Sequence, residues 1–251
     1  MVLGVLGVGH LARSILQGLL RAGFERDAIV LSPRGQGPEL AKLHGLVLAE
    51  DNRDLVARTD IVLVAVRPAD AVESLRGLGW TPRHTIVSVC AGVPIAALQA
   101  AAPAATIMRA MPLTATEIGA SATPVFPDIG AARPILNALG SVVALAREED
   151  FEVATVSAAI YGWAQDLMRQ SIEWSAAGGL ERAAARQLVA NTFVAAGRLI
   201  AEKDVPLDDM LRQLVTPGGI TERGLQVLAE RDVPSAWTAA CKAVLEKLQD
   251  R

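Results

Sequence analysis

The sequence predicts an α/β protein in two parts: a doubly wound, mostly parallel sheet over residues 1–147, then an all-helical domain over residues 148–251. Three observations predict it. Short apolar runs alternate with amphipathic segments up to residue 146. A glycine turn joins the first apolar run to the first helical pattern. From Glu148 onward the strand signals stop, and helical periodicity is interrupted only by turns.

VLGVL (2–6) has strand length, and GVGHLA (7–12) follows at once, leading into a helix with Leu11, Ile15, Leu19 and Leu20 on one face. Strand, glycine turn and helix form the context in which a G-x-G-x-x-G/A match reads as a Rossmann-type dinucleotide loop. Gly7 allows the tight turn, Gly9 lets the backbone approach a pyrophosphate, and Ala12 permits close packing of helix on strand. His10 and Leu11 open the helix, whose unpaired N–H groups and dipole favour phosphate. His10 reads as a spacer there rather than a reacting group.

AIVLS (28–32), LVLA (46–49), DIVLVAV (60–66), HTIVSVC (84–90) and ATIMRAM (105–111) read as further strands, and SVVALA (141–146) as a late edge strand. Segments near 37–44, 51–58, 69–76 and 94–101 read as crossover helices. DIVLVAV is apolar on both faces, as a central parallel strand requires. Cofactor choice is read after the second strand, where an acid marks a preference for NAD. Here LSPRG puts Ser32 and Arg34 beside the 2′-phosphate position, so NADPH is expected, with NADH as the alternative.

Composition narrows the partners. The chain of 251 residues is 51% hydrophobic and 20% charged, with a formal net charge of −3, in the range of a folded globular protein. Its basic residues are scattered, which argues against nucleic acid. Cys90 and Cys241 lie far apart in no metal-type spacing and read as small thiols in a reducing compartment. MVLGVLGVGH lacks the basic segment of a signal peptide, and no apolar run approaches the roughly 20 residues of a membrane span. No membrane partner and a cytoplasmic location are expected.

The second half reads as helices over 148–177, 180–203 (after Gly178–Gly179), 206–215, 220–232 and 235–249. Faces this rich in Ala, Leu and Val suit close packing against another subunit, so a homodimer or higher homo-oligomer through these helices is expected. LVTPGGITERG (214–224) breaks the pattern, since Pro-Gly-Gly cannot continue a helix. Two readings stand: a plain connection, or a turn whose N–H groups bind a carboxylate with the hydroxyls of Thr216 and Thr221.

GVGHLA, VLVAVRP (62–68), AGV (91–93) with RAMP (109–112), and VTPGGIT (215–221) together resemble the pyrroline-5-carboxylate reductase family, in order and spacing, across nearly the whole chain. The stretch GLERAAARQLVANT (179–192) is similar to that family's second C-terminal helix. The resemblance implies reduction of a cyclic imine carboxylate to proline with NAD(P)H, in a dimer whose helical domains exchange helices. It implies that Thr216, Gly218, Gly219 and Thr221 hold the substrate carboxylate and ring nitrogen. Val66, Pro68, Ala91, Met111 and Pro112 are implied to line the nicotinamide side.

The chain departs from the family pattern in three places. RAMPLTAT carries Leu113 where members have an amide that helps seat the cofactor. Ala158, Ala159, Ile160, Tyr161, Gly162 and Trp163 replace Gly-Ser-Gly-Pro-Ala-aromatic. TPGGIT replaces SPGGTT, keeping one hydroxyl on each side of the glycines. Reduction of a C=N bond needs orientation of the imine and a proton at nitrogen. Thr221 is the family-based donor, and Tyr161, the only tyrosine, is a donor of this chain's own, with Asp166 further along the helix. Tyr161 also reads as a packing residue, and Trp163 as packing or substrate wall.

A 3-hydroxyacid dehydrogenase needs an interdomain lysine, yet no lysine occurs between Lys42 and Lys203. A deazaflavin-dependent NADP reductase shares only the N-terminal pattern. A cofactor-binding protein without turnover, acting as a redox sensor, is the rival of another class.

Overall fold

The computed structural model describes residues 1–250; Arg251, the last residue of the expected helical domain, lies outside the described residues. Six parallel strands come first: β1 (Leu3–Leu6), β2 (Ile29–Leu31), β3 (Val47–Leu48), β4 (Ile61–Val64), β5 (Thr85–Ser88) and β6 (Thr106–Ala110). β7 (Ser121–Phe126) runs antiparallel to β6, and β8 (Gly140–Ala144) forms the edge parallel to β7. The sheet order is β3-β2-β1-β4-β5-β6-β7-β8. The first six strands therefore reverse direction of winding at β1 and β4, which places a crevice at their carboxyl ends.

Alternation along each strand divides the core. Leu3 and Val5 of β1, Ile29 and Leu31 of β2, and Ile61 and Leu63 of β4 pack on one face with α1 (His10–Arg21), α2 (Gly37–His44) and α6 (Arg133–Leu139). Leu6, Val30, Val62 and Val64 pack on the other with α3 (Asn52–Arg58), α4 (Ala71–Leu75) and α5 (Ile95–Ala101). Two buried faces explain why these strands read as continuous apolar runs.

The expected doubly wound sheet and helical C-terminal half are both present. β7 and α6 are additions to the sequence reading. β7 escaped because Ser121 and Thr123 are buried polar residues, satisfied by each other at 2.9 Å and by the Leu113 N–H, which hides the apolar alternation. Pro124 sits inside β7, where its carbonyl accepts from the Met111 N–H at 3.1 Å.

The helical half comprises α7 (Asp150–Ala177), α8 (Arg182–Glu202), α9 (Leu207–Leu214), α10 (Ile220–Glu230) and α11 (Val233–Gln249). Packing divides the chain into one unit of Met1–Ala158 with the segment from Leu245, and a second of Ala159–Val244. The expected boundary at 147/148 marks where the strand pattern ends; by packing, the first turns of α7 remain with the sheet, burying Phe151, Thr155 and Val156. The second unit carries large exposed apolar side chains, among them Trp174, Leu188, Val194, Leu214 and Ile220. No helix among the described residues is long and apolar enough to cross a membrane.

Candidate functional site

The glycine turn is built by crowding at β1 and β4. Gly7 has φ +89°, and a Cβ there would stand 2.6 Å from Val66 Cγ1 and 2.7 Å from the Val66 nitrogen. Only glycine fits. Gly9 is different: nothing lies within 4 Å of where its Cβ would be, so the backbone before α1 faces open space. Gly9 N-caps α1 with no side-chain cap, His10 is exposed, Leu11 is half-buried, and Ala12 is buried at 1% against the sheet. An open backbone turn at a helix N-terminus, free of side chains, has the chemistry that suits a pyrophosphate.

A cleft of about 560 Å³ runs from this turn along the sheet crevice, lined by Gly7, Ser32, Arg34, Asn52, Val66 and Leu78 among others. Ser32 is 2% exposed, and its hydroxyl donates to Asn52 Oδ1 at 2.8 Å. Arg34 is exposed at the rim. Asn52 was not singled out from the sequence; the signal was its place at the start of the third crossover helix, one strand away from Ser32.

On the other side of β4, Pro68 lines a separate cleft of about 610 Å³ with Arg67, Val72, Gly92, Val93 and Pro94. Ala91 is half-buried between these segments in sequence, and Met111 and Pro112 are buried at the end of β6. Cys90 is buried, and its thiol faces the carbonyls of Val64 and Val66 at 3.5 and 3.4 Å. Burial raises its pKa, outweighing the hydrogen bonds and the nearby Arg109 charge that lower it. A thiol held protonated in this way is a packing group, as expected; Cys241 is also unpaired.

The same edge holds a charged cluster that the sequence reading passed over. Arg109, 3% exposed in its side chain, pairs with Glu148 at 3.2 Å and, more closely, with Glu152. Its guanidinium lies 4.1 Å over the Phe151 ring, and Glu148 also accepts the Ile95 N–H at 2.8 Å. Arg109 thereby ties the start of α7 to β6 and to α5.

The remaining candidates lie in the second unit. Pro217 and Gly218 form the centre of a type II-like turn: Gly218 has φ +75°, and the Gly219 N–H donates to the Thr216 carbonyl at 2.8 Å. Gly219 N-caps α10 without a side-chain cap, and Thr216 and Thr221 are exposed on either side. The Gly218 N–H already donates to Glu222 Oε2 at 2.7 Å. A ligand carboxylate takes that N–H only by displacing Glu222. Glu222→Gln, which removes the competing charge, is expected to tighten binding of a carboxylate ligand several-fold and leave a neutral one unchanged; an equal shift for both excludes this competition.

Tyr161 is half-buried on α7. Asp166 lies about 140° further round the helix axis, exposed, with its oxygens taken by Arg169 at 2.7 Å and Gln170 at 2.6 Å. The Arg169 hydrogen bond, then that of Gln170, holds its carboxyl below the usual range, so it is no proton source near neutral pH. Trp163 packs edge-on against Trp237 of α11, with ring centroids 5.4 Å apart at 85°.

A Rossmann sheet with an open glycine turn, followed by a helical unit with exposed apolar faces, defines a two-part dinucleotide-binding protein. Residues 148–250 match the family described as pyrroline-5-carboxylate reductase dimerisation. Residues 2–92 match that described as NADP oxidoreductase coenzyme F420-dependent. The chain is 28% identical over 259 residues to a pyrroline-5-carboxylate reductase of Synechocystis, covering 99% of this chain and 97% of that protein. Its fold matches that of Plasmodium falciparum pyrroline carboxylate reductase with NADP bound (TM-score 0.85, 21% identity, 100% and 97% of the two chains). A Streptomyces aurantiacus imine reductase is more distant (TM-score 0.54, 16% identity, 100% and 94%). The chain is thus similar to pyrroline-5-carboxylate reductases over nearly its whole length, and its helical half matches their dimerisation family.

Proposed function

We propose that this protein is an NADPH-dependent reductase of a cyclic imine, pyrroline-5-carboxylate or a close relative, working as a homodimer or higher homo-oligomer. The observation that carries this is the cleft running from Gly7, at the open glycine turn, to Arg34. Its residues fit a dinucleotide: a glycine cradle for the pyrophosphate, the amide of Asn52 beside the adenosine, and an exposed cation at the rim. When bound, the nicotinamide supplies the hydride. The chain's own residues orient and protonate the imine.

Thr216, Gly218, Gly219 and Thr221 bind the substrate's carboxylate end through N–H and hydroxyl donors. Val66, Pro68, Ala91, Met111 and Pro112 make the apolar wall on the nicotinamide side. The Thr221 hydroxyl holds a proton at the imine nitrogen, and the phenol of Tyr161 is a second donor. Asp166, held ionised by Arg169, contributes a fixed charge, and Trp163 walls the substrate through its packing on Trp237. The exposed apolar side chains of the second unit are the surface that dimerisation covers. A cytoplasmic site of action belongs to the same reading, supported by two unpaired cysteines.

A steady-state screen of NADPH oxidation tests the function, comparing pyrroline-5-carboxylate, pyrroline-2-carboxylate, piperideine carboxylates and uncarboxylated imines. Oxidation with a carboxylated imine is expected. Turnover of uncarboxylated imines alone removes the carboxylate role of residues 216–221. The loss of the family's Gly-Ser-Gly-Pro element at Ala158–Tyr161 favours a second reading, a shifted substrate. Tight NADPH binding with no oxidation across the panel points instead to a redox sensor. Tyr161→Phe is expected to lower kcat about tenfold or more with stability unchanged; unchanged kcat returns Tyr161 to packing.

A further inference from the structure

Burial separates the two residues that the sequence assigns to the 2′-phosphate. Ser32 is 2% exposed, with its hydroxyl committed to Asn52 Oδ1. It shapes the wall of the cleft and orients the Asn52 amide. That leaves Arg34 as the exposed cation from the loop after β2.

The parallel register of β2 and β3 brings a second loop alongside. Leu31 pairs with Leu48, and the Ala49 N–H donates to the Leu31 carbonyl at 3.0 Å. The turn after β3 therefore lies beside the turn after β2. A smaller cleft of about 390 Å³ occupies this junction, sharing Arg34, Asn52 and Leu78 with the main cleft and adding Arg53. Arg53 stands exposed on the first turn of α3.

Two of the nearby carboxylates, Asp51 and Asp54, are engaged elsewhere. Asp51 Oδ1 caps α3, accepting the N–H groups of Arg53 at 2.7 Å and Asp54 at 2.8 Å. Asp54 accepts the Glu50 N–H at 3.1 Å and pairs with Arg58 at 3.3 Å. Glu50 lines the same cleft but makes no ion pair within 4.0 Å of either guanidinium. Arg76, on the main cleft, is paired with Glu73 at 2.9 Å. Among the described residues, the guanidiniums of Arg34 and Arg53 have neither an ion-pair nor a hydrogen-bond partner. Two unpaired like charges on one rim suit a dianion between them, and the guanidinium fork matches phosphate oxygens bidentately.

We propose that Arg53 is a second guanidinium for the cofactor's 2′-phosphate, closing on it opposite Arg34. The proposal rests on reading the cleft as the dinucleotide site, and adds the residue that sets the preference for a 2′-phosphate. Glu50 tempers that preference from the same rim.

Calorimetry with adenosine 2′,5′-bisphosphate and adenosine 5′-monophosphate isolates the 2′-phosphate without any turnover. The unaltered protein is expected to prefer the bisphosphate at least tenfold, by the strength of a charged hydrogen bond. Arg53→Ala is expected to weaken the bisphosphate about tenfold and leave the monophosphate unchanged, with Arg53→Lys between the two. Arg34→Ala with Arg53→Ala should lose more than either alone. A bisphosphate preference that survives Arg53→Ala, or a loss shared equally by both nucleotides, overturns the proposal while leaving the cofactor reading intact. Failure of the unaltered protein to bind either nucleotide overturns both.

Discussion

Gly7→Ala is expected to abolish measurable NADPH binding, with a loss in affinity of about a hundredfold or more. The cause is geometric. The added Cβ would meet Val66 Cγ1 at 2.6 Å, the Val66 nitrogen at 2.7 Å and the Ala65 carbonyl carbon at 2.8 Å, of which two are backbone atoms. The φ of +89° also strains any residue with a Cβ, at a cost of about 1–3 kcal/mol. Relief requires β1 and β4 to separate at their carboxyl ends, where the Ala65 N–H donates to the Leu6 carbonyl at 2.8 Å. The backbone geometry of the turn is lost with that contact. Gly9→Ala is the contrasting substitution, because its Cβ enters open space: the fold should be untouched and only the approach of the phosphates obstructed. Melting temperatures with fluorescence titration of NADPH separate the two effects. Gly7→Ala binding NADPH like the unaltered protein would falsify the assignment of this turn.

Arg109→Met is expected to destabilise the first unit by about 3 kcal/mol, because removing one member of a buried charged group leaves the others uncompensated. Arg109 is 3% exposed while Glu148 and Glu152 are 29% and 17% exposed, so water screens the carboxylates only in part. The lost guanidinium also leaves the face of Phe151. The melting temperature should fall by roughly 6–12 °C. Adding Glu152→Leu should recover part of the loss by removing a carboxylate that no longer has a cation. A melting temperature within a degree of the unaltered protein means that the cluster contributes nothing to holding α7.

Much of the fold was legible because its signals are local. β1, the glycine turn and α1 are contiguous in the sequence, and their apolar spacing directly reflects two buried sheet faces. The Pro-Gly-Gly turn is legible for the same reason, since helix cannot pass through it. β7 was not legible, because its buried Ser121 and Thr123 satisfy one another and carry no apolar alternation. The candidate site divides along the same line. Gly7, Gly9 and Arg34 stand within single loops that have recognisable chemistry. Asn52, Arg53 and Arg109 meet their neighbours only across segments distant in the sequence.

The sequence by itself determined the α/β class, the phosphate turn, the helical second half and the family resemblance, each of which is written in short contiguous segments. The tertiary structure alone decided that Ser32 is buried with its hydroxyl on Asn52. It also placed Arg53 beside Arg34, and Arg109 between two carboxylates. The physical reason is that burial and charge pairing are set by strand register and packing between distant segments. Periodicity and spacing along one chain carry no record of either.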